Sequence, residues 1–146
     1  MTPNLAILAP AAALALWSLV VLFWMMATRG PALIAAGIRL KTARPGSRGQ
    51  DLEGVLPERT NWKAHNYVHL MEQPTLFYAL AVILSLAGGG AADAMLAWAY
   101  TVLRVVHSLW QGNVNTLPVR VTLFVLGTLV LVAMAIRALV LTLGAG

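Results

Sequence analysis

Residues Ala64 to Ala87 read AHNYVHLMEQPTLFYALAVILSLA. The second half of this stretch is continuously apolar, as the middle of a membrane-crossing helix is. The first half carries His65, His69 and Glu72 at spacings of four and three, which puts them on one helix face. A second apolar segment, Ala91 to Gln111, repeats the arrangement with Tyr100, Arg104, His107 and Gln111 on one face. Ionisable groups inside helices of membrane length are costly to insert, so they face a partner, a wet cavity or a ligand. The two stripes are therefore the candidate functional site.

The same reading extends to the whole chain. Of its 146 residues, 60% are hydrophobic and only 10% charged, and the apolar residues come in blocks longer than a soluble core element needs. Four blocks, about 5–27, 64–87, 91–111 and 119–143, each approach the ~20 residues that cross ~30 Å of hydrocarbon. An all-α membrane protein follows, a four-helix transmembrane bundle in one domain over residues 1–146. A membrane β-barrel would need many shorter, alternating segments. The first block is expected to be a retained span and not a cleaved signal peptide: no Lys or Arg precedes it, and it is longer than a signal peptide's apolar core.

Seven of the ten Lys and Arg residues lie in the connection of about 28–63: Arg29, Arg39, Lys41, Arg44, Arg48, Arg59 and Lys63. The positive-inside rule makes this loop cytoplasmic and directs both termini outward. The net charge of +5 is then mainly a topology signal. Nucleic-acid binding is the weaker reading, since the basic residues are spread over a juxtamembrane loop without interleaved aromatics. The chain has no cysteine, which excludes disulfides, thiolate metal sites and a cysteine nucleophile, so that any thiol must come with a ligand.

Turn residues punctuate the blocks. The first span should end near Thr28-Arg29-Gly30-Pro31, with a possible short helix over residues 32–40 before Arg44-Pro45-Gly46-Ser47. The stretch from Lys41 to Asn61 reads as irregular, Gly88-Gly89-Gly90 as a tight turn, and Pro118 as a first-turn residue of the last helix. Trp24, Trp62 and Trp110 fall near inner span ends, where an indole buries its ring and keeps its N–H wet. Trp17 and Trp98 read as packing residues. Arg137, near the outer end of the last span, reads as snorkelling.

Glu72 and Arg104 fall at similar depths from the cytoplasmic side, roughly 14 and 12 Å at ~1.5 Å per residue. They are expected to pair and so to limit each other's insertion cost, with His65, His69, His107 and Gln111 above them in a cleft that opens inward. Pro74 removes the bond to the Leu70 carbonyl and predicts a kink beside Glu72. Two blander readings stand beside this one. The pair could serve only to fix helix register, with the histidines as interhelical donors. His65, His69 and Glu72 also have the spacing of a metal site, a reading disfavoured here.

The run Asn61-Trp62-Lys63-Ala64-His65-Asn66-Tyr67-Val68-His69-Leu70-Met71-Glu72-Gln73-Pro74, then Arg104-Val105-Val106-His107 and Pro118-Val119-Arg120, resembles the MAPEG family, the membrane-associated proteins in eicosanoid and glutathione metabolism, in its bacterial branch. The resemblance covers the chain from about Trp62 onward, with the four-span order and the long first loop. It implies a homotrimer in the inner membrane that binds glutathione between subunits and acts on lipophilic substrates as a transferase, peroxidase or isomerase. By position it implies that Glu72, Arg104 and His107 help hold glutathione, with Arg39 a further basic match. It also implies that Arg120 lies close to the glutathione sulfur, where a cation favours thiolate over thiol.

This chain departs from the family pattern where His65 and His69 replace an arginine and an asparagine, and where Gln111 replaces a tyrosine. Neutral imidazoles hold carboxylates more weakly than guanidinium does. Val121 after Arg120 offers no hydroxyl. The expected function is glutathione transfer to, or reduction of, an apolar electrophile from the bilayer, with Arg120 on the thiolate and His65, His69, Glu72, Arg104, His107 and Gln111 on the tripeptide. The alternative is a non-catalytic protein that binds a lipid head group or another anion in the same cleft. A small transporter is disfavoured, because the buried charges cluster toward one side.

Overall fold

The computed structural model describes residues 3–39, 41 and 43–144. It contains five α-helices: α1 (Leu5–Ala35), α2 (Glu58–Glu72), α3 (Pro74–Leu86), α4 (Ala91–Asn113) and α5 (Leu117–Leu143), with a short 3-10 turn at Gly49–Leu52. The helices α2 and α3 are two halves of one rod that breaks at the Gln73–Pro74 junction, as Pro74 predicts. The four rods alternate in direction. Asn4 meets Ser85 and Gly89, Pro10 meets Thr101, and Trp17 meets Ser108, so α1 runs parallel to α4 and against α2 and α3. Gln73 meets Thr128 and Asp93 meets Arg137, which aligns α5 with the broken rod and against α4.

Each helix buries a narrow stripe. On α1 it is Ile7, Pro10, Leu14, Ser18 and Val21, the three- and four-residue steps of one face. These pack with Leu70, Phe77, Ala81, Leu84, Ala97, Tyr100, Leu131, Met134 and Ala138. The outer faces carry Leu16, Phe23, Leu76, Val102, Leu129 and Leu139, all exposed. So much outward apolar surface suits a lipid environment and not water.

Three stretches, Leu5–Ala35, Glu58–Leu86 and Leu117–Leu143, are long and apolar enough to cross a membrane. The 23-residue α4 has the length but not the apolarity, because Asp93, Arg104, His107 and Gln111 interrupt it. All four are buried inside the bundle, so the polarity faces the other helices and the outward face stays apolar.

Boundaries differ from the sequence reading at two places. The first helix continues through Pro31 to Ala35 instead of stopping near Thr28, and it ends where Gly37, at φ 70°, takes the left-handed conformation that glycine tolerates. Gly37 N–H donates to the Ile34 carbonyl and Ile38 N–H to the Leu33 carbonyl. Leu40 lies outside the described residues. The second rod begins at Glu58, six residues before Ala64, after Pro57, whose non-helical ψ of 137° sets the start. Its first residues, Glu58 and Arg59, are charged and exposed, so hydropathy alone misses them.

Candidate functional site

The loop end of the bundle is built by residues of four helices. There α4 ends against α1 at Gly112, where an added Cβ would lie 2.7 Å from the Trp24 ring. Glycine is required for this approach. The turn to α5 passes through Asn115 at φ 59°, whose N–H donates to the Trp110 carbonyl. Asparagine tolerates this left-handed conformation, and its side-chain oxygen accepts a 2.8 Å bond from Arg120 Nη1. Pro118 sits in the first turn of α5, as expected. The geometry of one turn therefore fixes the guanidinium of Arg120.

The segment after the 3-10 turn folds back over α2. Arg29 Nη2 donates to the Gly49 carbonyl at 3.0 Å and to Asn61 Oδ1 at 3.3 Å, while Asn61 Nδ2 donates to the Leu52 and Leu56 carbonyls. Asn61 is itself buried. His65 Nε2 contacts Glu53 Oε1 on the same segment. These contacts close a cleft of about 740 Å³ whose wall includes Arg29, Arg48, Glu53, His65, His69, Glu72, Gln111 and Arg120.

Five of the eight residues picked from sequence, His65, His69, Glu72, Gln111 and Arg120, thus line one cleft. Arg104 and His107 are buried behind it: Arg104 Nη2 donates to the His69 carbonyl and Nη1 meets His107 Nδ1 at 3.2 Å. Arg39 is not among the lining residues. The expected Glu72–Arg104 pair does not form. Among the described residues Glu72 makes no ion pair and is exposed on the face of α2, while Arg104 bonds a helix carbonyl and an imidazole through its two Nη groups and leaves its buried Nε–H without an acceptor.

His69 Nδ1 meets Gln111 Oε1 at 3.2 Å, and its ring contacts His107 edge-on at 4.9 Å and stacks on Phe124 at 5.7 Å. Among the described residues no group of three His, Cys, Asp or Glu side chains is arranged to hold a metal. A second, smaller cavity of about 220 Å³ lies on the other side of His69 and Arg120, lined also by His107, Leu117, Val121 and Phe124. His69 and Arg120 therefore form the wall shared by a polar cleft and an apolar groove.

Sequence reasoning missed Arg29, Arg48 and Glu53, because nothing in the loop's spacing says that it folds back over α2. The buried Nε–H groups of Arg29, Arg104 and Arg120 all lack an acceptor among the described residues. With three guanidinium groups and two carboxylates in its wall, the cleft fits a ligand that carries both an ammonium and more than one carboxylate.

Two other expectations fail at the far end and middle of the bundle. Arg137 does not simply snorkel but pairs with the buried Asp93. Trp98 is exposed, not packed, and lines an outward apolar groove beside Trp17; the Trp17 indole donates to Ser108 Oγ.

Compared with known proteins, the chain matches the family model described as MAPEG family over residues 7–140. No curated protein and no solved structure matches it. With its apolar rods, this makes the chain a multi-pass membrane protein.

Proposed function

The chain belongs to the MAPEG family, and from that premise we propose that the 740 Å³ cleft binds glutathione, or a small thiol of the same charge pattern, and presents its sulfur to an apolar electrophile drawn from the bilayer. The observation that carries this reading is the shared wall. Arg120 and His69 line both the polar cleft and the apolar groove, so a thiol held against Arg120 lies at a boundary between these two cavities.

In this mechanism Arg120 favours the thiolate by its fixed positive charge, and Asn115 keeps the guanidinium in place. Arg29, Arg48 and Gln111 receive carboxylates, and Glu72 receives the ammonium. Arg104 acts from behind by holding the end of α2 and the His107 ring. In transfer, the sulfur forms a bond to an electrophilic carbon as the leaving group departs. In peroxide reduction, two thiols give one disulfide while a lipid hydroperoxide becomes an alcohol and water. Rate comes mostly from orientation and from keeping the thiol ionised. The active assembly is a homotrimer in which α4 crosses as the third of four spans, the cleft faces the cytoplasm and both termini face outward. The unpaired Glu72 on an exposed face suits a site completed between subunits.

Calorimetric titration of glutathione into the detergent-solubilised protein, with Arg120→Ala and Glu72→Gln beside the wild type, tests the reading. Saturable binding that both variants lose is expected. Absence of binding by folded wild-type protein would overturn it and favour a non-catalytic site for an anion or lipid head group.

A further inference from the structure

The sequence offers His65 to a ligand, but in the folded chain the imidazole is already engaged. Its Nε2 contacts Glu53 Oε1, and both side chains are about half exposed, at 47% and 49%. The two residues also stand on a divide. Both line the 740 Å³ cleft, and both line a neighbouring polar cavity of about 580 Å³ with Glu58, Asn61, Trp62 and Asn115.

The segment that carries Glu53 is pinned on either side of it. Gly49 is held by Arg29, and Leu52 and Leu56 are held by Asn61, with Leu56 buried. Among the described residues Glu53 itself has no such tether beyond its backbone bond to Gln50 and its contact with His65. Its carboxylate is thus free to leave His65 without unfolding the segment.

We propose that Glu53 is a built-in competitor for the cleft: its carboxylate occupies the imidazole that a carboxylate-bearing ligand would use, and the ligand's carboxylate takes its place there. Only the choice of glutathione as ligand rests on the function proposed above. The exchange is near balanced, one exposed carboxylate for another, which suits a site that must release its product. It also joins the two cavities, because Glu53 and His65 form the partition between them. The charged and titratable groups around His65 are Glu53 and Arg48 of the loop, Arg29 of α1, Glu58, Tyr67, His69 and Glu72 of α2, and Arg120 of α5.

Glu53→Gln keeps the shape and removes the competing charge. The chain has only three histidines, so the His65 ring signal can be followed by NMR in detergent and assigned with His65→Asn. In ligand-free protein, Glu53→Gln should change the His65 ring signal, since the carboxylate contact to Nε2 is lost. The same variant should bind S-methylglutathione about two- to fivefold more tightly, the range that one exposed ion pair supplies, with no gain for its diethyl ester, which lacks the carboxylates. Glutarate, a dicarboxylate without a thiol, is titrated in parallel with His65 as the reporter.

An unchanged His65 ring signal in ligand-free Glu53→Gln would overturn the proposal. So would binding of S-methylglutathione that is unchanged or weaker in that variant, which would make Glu53 a ligand contact and not a competitor. If the tripeptide fails to bind either protein while glutarate moves the His65 signal, more strongly in Glu53→Gln, the thiol reading falls and the competitor stands. If neither ligand moves it, the competitor falls as well.

Discussion

Arg137 Nε and Nη2 donate to the two carboxylate oxygens of Asp93, each at 2.9 Å, and Asp93 Oδ2 also accepts the Gly90 N–H at 2.9 Å. One buried carboxylate therefore ties the last turns of α5 to the first turn of α4. Asp93 is fully buried, whereas Arg137 is 45% exposed. The two partners are unequal, since losing the cation leaves a buried charge uncompensated and losing the anion leaves a guanidinium that reaches the interface. Arg137→Gln should lower the melting temperature in detergent more than Asp93→Asn does, by about 5 °C. The double variant should recover part of the loss. Equal and additive losses would show that the pair does not act as a unit.

Gln73 sits at the break between α2 and α3 and bridges two other helices. Its Nε2 donates to Thr128 Oγ1 at 2.8 Å, and its Oε1 accepts the hydroxyl of the fully buried Tyr100 at 3.3 Å. Gln73→Leu strands that hydroxyl and should cost about 1–3 kcal/mol. Tyr100→Phe in the same chain should return most of it, which denaturant or thermal unfolding of the double variant measures.

Gly112 admits the Trp24 ring, and a Cβ there would lie 2.7 Å from Cη2 and 2.8 Å from Cζ3. Gly112→Ala should destabilise the loop end of the bundle by about 1–3 kcal/mol, the usual cost of overpacking. Trp24→Phe removes the two clashing atoms. If that second change does not rescue Gly112→Ala, the contact is not what limits the position.

Asn115 combines a left-handed backbone with the bond that positions Arg120. Asn115→Gly keeps the turn and removes the bond, so unfolding should change little while glutathione affinity falls about tenfold, as for a lost hydrogen bond to a charged group. Asn115→Asp should retain binding. Asn115→Ala should instead lower stability, since a Cβ resists that conformation. An Asn115→Gly protein that binds as tightly as the wild type would remove Asn115 from the positioning of Arg120.

The sequence alone determined the membrane class, the helical architecture, the break at Pro74 and the family. Each of these is written in local signals: apolar length, one-face spacing and a proline without an N–H. The polar stripes were also legible, because a helix converts spacing into a shared face, and five of the stripe and loop-edge residues do meet in one cleft. Tertiary structure alone decided the partners. Arg104 turned to the His69 carbonyl and not to Glu72, Arg137 found Asp93 across 44 residues of chain, and Glu53 came from the loop to occupy His65. Depth along a helix is set by counting residues. Which side chain faces another across a bundle depends on how the rods rotate and pack, and no spacing within a single segment encodes that.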